Sequence, residues 1–226
     1  MIKIECTHVD GWVSAIRGMR NPMNSWEQSD STWDCESLDC ICESCVEDCG
    51  WCGNQPNYII GEKDLDLMKR LVKAGSDHSK FMRMITVTCD ITAPLYWWKE
   101  FDTYKVGTVR NSCSTMHKIH AKEFTKDDFS YENVLDDVAT INASLGRLNY
   151  TRSKYLETKD KRYWYSMIQI LPSSYNQKAT VQINYAVLRN MYHGRKNHKL
   201  DEWSIGFCNW IKTLPYSELI TGENDE

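Results

Sequence analysis

Six of the chain's ten cysteines fall within residues 35–52, at Cys35, Cys40, Cys42, Cys45, Cys49 and Cys52. Two Cys-x2-Cys pairs stand out, Cys42 with Cys45 and Cys49 with Cys52, and Gly53 follows the second. A Cys-x2-Cys-Gly turn is a common zinc knuckle, because the glycine lets backbone N–H groups point at the sulfurs and favour the thiolates. Structural zinc takes four tetrahedral ligands, and Cys42, Cys45, Cys49 and Cys52 are the expected set. The short gap between the pairs leaves open a set in which Cys35 or Cys40 replaces a member of the first pair. Four thiolates leave no position for water, so such a zinc would be structural, and its binding energy would fold a segment too polar to fold alone. An iron–sulfur cluster also uses closely spaced cysteines, and disulfides or unbound thiols are the third reading. A catalytic thiol is disfavoured. Glu36, Asp39, Glu43, Glu47 and Asp48 crowd the cluster, no Lys or Arg lies between Arg20 and Lys63, and acidic neighbours raise a thiol pKa. His78, His117, His120, His193 and His198 are scattered, and none is assigned to metal.

The rest of the chain must carry this segment. Its 226 residues, 42% hydrophobic and 26% charged, are enough for a real core without help from metal. We read residues 1–226 as one α+β domain, with residues 21–62 as an irregular, cysteine-rich acidic insertion that would bind zinc. A net charge of −4 argues against non-specific nucleic-acid binding and permits a basic protein partner. The opening MIKIECTHVDGWVSAIRGMRN has no apolar run of signal-peptide length, since Asp10 and Arg17 interrupt it, and no segment reaches membrane-spanning length. The expected location is the cytoplasm of a bacterial host, where disulfides are disfavoured.

IKIECTHV alternates as a strand does, and GWVSAIRGM carries a short helical pattern. In DLDLMKRLVKAG, Leu65, Met68, Leu71 and Val72 share one helical face and Gly75 is a stop. FMRMITVTCDI reads as a strand, and APLYWWKEFDTYK as a helix with Pro94 in its first turn. SYENVLDDVATINASLGRLNYTRSKYLE suits a long helix, with Leu135, Val138, Ile141, Leu145 and Leu148 recurring on one face and Ser130 as its cap. KRYWYSMIQIL continues as helix to Pro172. ATVQINYAVLRNMYHG begins as strand and turns helical near Asn184. DEWSIGFCNWIKTL is an amphipathic helix ended by Pro215. The YWW cluster at 96–98 is better read as core than as a stacking platform.

This order of elements, with APLYWWKEFDTYK and ILPSSYNQKATVQINYAVLRNMYHGRKNHKLDEW, resembles the flavin-dependent thymidylate synthases. The resemblance covers most of the chain outside residues 21–62 and implies a small sheet with long helices. The family's Arg-His-Arg position looks like Thr103-Tyr104-Lys105, and the loop VGTVRNSCSTMH lacks the family's Ser-x-x-x-Ser-x-Arg-Tyr ending. Asn184 stays, Ala186 stands where an arginine is expected, Arg195 stays, and LDEW replaces Ala-Gln-x-Glu. In the family these arginines hold the phosphates of FAD and the deoxynucleotide, which a guanidinium does bidentately. The resemblance therefore leaves Lys105, Asn184 and Arg195 as a reduced nucleotide-binding set, and FAD is not expected. Each of the three also has an ordinary structural reading, as a solvated charge, a helix cap and a surface residue near a helix end.

The segment APLYWWKEFDTYKVGT also resembles chains of bacteriophages and mobile elements. The expected function is a non-catalytic, zinc-containing binding protein on this fold. It would inhibit a host nucleic-acid-processing or CRISPR defence protein by engaging a basic surface, without binding nucleic acid directly. The alternatives are an FAD-dependent thymidylate synthase that methylates dUMP, and a nucleotide-binding protein without turnover. A homo-oligomer fits the family resemblance.

Overall fold

The computed structural model describes residues 2–34, 57–134 and 138–222. Its elements in chain order are β1 (Lys3–Asp10), α1 (Trp12–Arg20), β2 (Thr32–Asp34), β3 (Asn57–Ile59), α2 (Glu62–Lys73), β4 (Thr86–Pro94), α3 (Leu95–Phe101) and β5 (Thr108–Ser112). There follow α4 (Val138–Thr158), α5 (Lys161–Ile170), β6 (Asn176–Asn184), α6 (Tyr185–Arg195), a π-helical turn over Glu202–Phe207, α7 (Cys208–Lys212) and α8 (Glu218–Thr221). Four strands form one sheet in the order β1-β4-β6-β5, and β2 pairs with β3 in a second. This is the α+β architecture expected from the sequence. Among the described residues, no helix is long and apolar enough to cross a membrane.

Alternation explains the two strands at the middle of the larger sheet. In β4, Val87, Cys89, Ile91 and Ala93 are buried, and in β6 Gln177, Ala179, Val181 and Ile183 are. A period of two puts each set on one face of its strand.

The described residues divide into two compact units. The first comprises Met1–His8, Thr88–Gln182 and Gly194–Trp210. Its aromatic core centres on Trp97, Trp98, Phe101, Trp203 and Phe207, all buried. A second cluster in the same unit holds Ile119, Phe124, Phe129, Leu148 and Met167. Burying side chains of this size contributes roughly 1.5–3 kcal/mol each.

The second unit comprises Val9–Val87, Ile183–His193 and Ile211–Glu226. Trp12 packs edge-on against both Tyr185 and Tyr216 in its core. In α2 the buried side chains are Met68 and an acid, Asp64. Asp64 accepts from Arg20 Nε at 2.6 Å, Ser29 Oγ at 2.6 Å and Ser31 Oγ at 2.7 Å. Between those serines, Asp30 takes the N–H groups of Lys63 and Asp64 at 2.9 and 3.1 Å, capping α2 from outside the helix. Gly61 is required at the approach to α2, since a Cβ there would lie 2.3 Å from the Asp30 carboxylate. Ser29, Asp30 and Ser31 thus lash the chain before β2 to the start of α2. The β2–β3 ladder pairs Thr32 with Ile59, Trp33 with Tyr58 and Asp34 with Asn57. The base of the cysteine-rich segment is therefore held from both sides.

Several sequence expectations are corrected. Residues 21–62 are not irregular throughout. Their described parts hold 3-10 turns at Asn21–Met23 and Trp26–Gln28 as well as β2 and β3. Ser130 does not cap the long helix: it is buried and donates to Asn176 Oδ1 at 2.8 Å, while Tyr131–Val134 form a turn. Leu135 lies outside the described residues. FMRM is no strand, because Lys80–Arg83 make a 3-10 turn before β4. Pro94 ends β4 and stands at the N-cap of α3, with no backbone N–H to leave unpaired there. Cys35, Cys40, Cys42, Cys45, Cys49 and Cys52 lie outside the described residues.

Candidate functional site

The end of α3 is where the family resemblance places its anion-holding residues. α3 enters the aromatic core of the first unit through Trp97, Trp98 and Phe101. Trp97 stacks on Trp203 from the π-helical turn, with centroids 4.3 Å apart and planes 19° apart. Trp98 Nε1 donates to the Gln177 carbonyl at 3.0 Å. The tryptophans of YWW are therefore core, as read from the sequence, and they carry the next turn of chain in a fixed position.

Two arginines press on this core. The Arg110 guanidinium lies 3.9 Å over the Trp98 ring, a contact worth roughly 0.5–2 kcal/mol. Its Nη1 donates to both oxygens of Asp102, at 2.7 and 2.9 Å, and its Nη2 to Gln177 Oε1 at 2.6 Å. Arg195 lies over Trp203 at 5.0 Å and over Tyr104 at 5.4 Å. Its Nε donates to Tyr104 Oη at 2.9 Å, and its Nη1 pairs with Glu100 Oε2 at 2.9 Å. Both guanidiniums lie beneath their partners. Arg195 is 13% exposed and Glu100 44%, while Arg110 is 19% exposed and Asp102 56%.

Of the sequence-predicted nucleotide residues, Arg195 meets Tyr104 and so joins the Thr103-Tyr104-Lys105 segment. Lys105 is exposed and makes no ion pair among the described residues. Asn184 belongs to the second unit, where its Oδ1 accepts from the Val187 N–H at 3.0 Å and caps α6. One turn on, Arg189 Nη1 donates to the carbonyls of Leu219 and Ile220 at 3.2 and 3.1 Å, tying α6 to α8. It is thus spent on the fold.

Elsewhere the chemistry is quiet. Burial and the Asp90 charge push the Cys89 thiol up to about 12, which leaves it unreactive. Cys6, Cys89, Cys113 and Cys208 form no disulfide. In Tyr96, burial, then the hydrogen bond to the Glu202 carboxylate, raises the phenol above its ordinary range. No group of three or more His, Cys, Asp or Glu that could hold a metal occurs among the described residues. A groove lies elsewhere. It measures about 810 Å³, all of its lining lies in the second unit, and Met19, Met23, Lys63, Arg70, His78 and Lys80 are among its walls.

Glu100, Asp102 and Arg110 were missed by sequence reasoning, as was Asp64. One signal pointed to the first two. A helix C-terminus carries negative partial charge and favours cations, so two acids at the end of α3 imply a cation close by.

No protein-family model matches this chain, and neither does any curated protein. Solved structures do match in shape. One is thymidylate synthase X from Helicobacter pylori with FAD and dUMP, at 16% identity and a TM-score of 0.69, covering 98% of each chain. Another is the flavin-dependent thymidylate synthase of the same organism, again with FAD and dUMP, at 16% identity and a TM-score of 0.68, covering 97% of this chain and 98% of the other. This chain therefore has the fold of the flavin-dependent thymidylate synthases, carried by a sequence far removed from theirs.

Proposed function

We propose that this protein is a non-catalytic binding protein built on the flavin-dependent thymidylate synthase fold. The observation that carries this reading is the pairing of Arg195 with Glu100 and of Arg110 with Asp102. A phosphate taking the place of either carboxylate would leave that acid at a helix C-terminus without its cation. Thr103 and Ala186, at positions where the resemblance expects arginine, supply no replacement charge. These pairings argue against the phosphates of FAD or dUMP being held at the end of α3.

On this reading the cysteine-rich segment is what the protein adds to the fold. Its Cys-x2-Cys spacing supports a structural zinc on Cys42, Cys45, Cys49 and Cys52, and its carboxylates support docking to a basic protein surface. The chemistry of that surface suits a nucleic-acid-handling defence protein of a bacterial host, a CRISPR effector among them.

A second reading is an FAD-dependent thymidylate synthase, or a nucleotide-binding protein without turnover. The 810 Å³ groove favours it, being roomy enough for a nucleotide and bordered by Lys63 and Lys80. Titration of the purified protein with FAD and with dUMP, followed by an assay of dUMP methylation, separates the two. The first reading expects neither ligand to bind in the micromolar range and no turnover. Stoichiometric flavin binding with methylation would overturn it, and binding without methylation would favour the nucleotide-binding protein.

A further inference from the structure

Arg110 and Arg195 have the features of anion-binding groups, and the anions they pair with are the chain's own carboxylates. Each guanidinium is held in place by a ring, Trp98 at 3.9 Å for Arg110 and Trp203 at 5.0 Å for Arg195. Each is steadied by a neutral partner as well, Gln177 Oε1 and Tyr104 Oη. Such preorganisation is what a phosphate fork needs, since little side-chain freedom is left to lose on binding. The acids make sense only in terms of these arginines. Glu100 sits in the last turn of α3 and Asp102 at its C-cap, where the helix dipole disfavours both. They also stand on the solvent side, at 44% and 56% exposure against 13% and 19% for the arginines below. Each guanidinium is thus less accessible to an outside anion than the carboxylate already paired with it is to solvent.

We propose that Glu100 and Asp102 are built-in carboxylate occupants that close the Arg195 and Arg110 guanidiniums to phosphate-bearing ligands. They are specificity-determining residues of the α3 end, and neutralising them turns an anion-excluding surface into an anion-accepting one. The proposal rests on the non-catalytic reading above and names the side chains that enforce it. Glutamine and asparagine nearly match the shapes of the acids and relieve the unfavourable charge at the helix end, so Glu100→Gln and Asp102→Asn should leave the fold intact.

The test is isothermal titration of the full chain with inorganic pyrophosphate at low ionic strength, where surface charge effects are least screened. The parent protein is expected to bind weakly. In the E100Q/D102N protein each released guanidinium can offer a charged hydrogen bond to the probe, so affinity should rise about tenfold or more. Adding Arg195→Gln to that background should cancel much of the gain. The single variants E100Q and D102N, measured separately, cover the case in which the double variant fails to fold. A folded double variant that binds pyrophosphate no better than the parent overturns this proposal and leaves the non-catalytic reading standing. A parent protein that already binds as tightly as the double variant, with Arg195 required, overturns both.

Discussion

Removing the charge of Asp64 should damage the second unit more than almost any other single-atom change. Its carboxylate is 0% exposed and accepts from Arg20 Nε, Ser29 Oγ and Ser31 Oγ, while Arg20 is itself only 4% exposed. Asp64→Asn keeps the shape but leaves the Arg20 charge buried without its counter-ion. Breaking a buried pair from one side costs about 3–5 kcal/mol. Set against a typical total of about 5–15 kcal/mol, that is a large share. For a chain of this size it corresponds to a fall in Tm of roughly 6–20 °C. Replacing both partners separates charge from packing. Arg20→Met with Asp64→Leu removes both ions, and the Ser25 and Gln28 carbonyls that Arg20 also served can turn to water. The double variant should recover most of the loss, to within about 1–2 kcal/mol of the parent. Urea unfolding of the parent, D64N and R20M/D64L proteins reads all three values. A D64N protein within about 1 kcal/mol of the parent would refute the reasoning, because Arg20 would then not depend on the Asp64 charge.

Other outcomes follow from the same contacts. For Asp64, burial raises the pKa, but hydrogen bonds from Ser29, Ser31 and Arg20 outweigh it and hold the carboxyl below its usual 3.8. For Asp30, the hydrogen bond from the Lys63 N–H leads the same downward shift. Groups depressed in this way stabilise the fold above their unfolded pKa and lose that contribution as pH falls through the folded one. Stability should therefore be flat from neutral pH to about 5 and drop below about 4, as a Tm series would record. If the proposed zinc is held by the Cys-x2-Cys pairs, replacing Cys49 and Cys52 with Ser should lower the zinc content per chain, and unchanged content by elemental analysis would refute the ligand set. A thiol reagent should label Cys6 and Cys113 rapidly in the native protein and spare Cys89, whose thiol is buried and pushed up to about 12. Rapid labelling of Cys89 would contradict its place in the core.

The sequence carried the fold well where periodicity was strong. β1, α1, α2, α5, the strand-to-helix switch at Asn184 and the core role of the YWW tryptophans were all legible from spacing. It carried less where a long-range partner decides the outcome. Ser130 looked like a helix cap because caps are local, but its hydroxyl is taken by Asn176, forty-six residues away. Asp64 could not be singled out, since nothing local says that Arg20 and two serines will close over it. The candidate site failed in the same way. Arg195 could be picked out by resemblance, yet Glu100 as its partner requires α3 and the end of α6 to meet in space. The acids at the end of α3 were the one local clue, and their conflict with the helix dipole is legible without a structure.

The absorbance spectrum of the native protein as purified tests the central claim most directly. If the arginines are occupied by the chain's own carboxylates, the protein should be colourless and release no flavin on denaturation. A yellow protein that releases stoichiometric FAD would contradict the account. It would show that the fold still holds the flavin here despite the pairing of Glu100 with Arg195 and of Asp102 with Arg110.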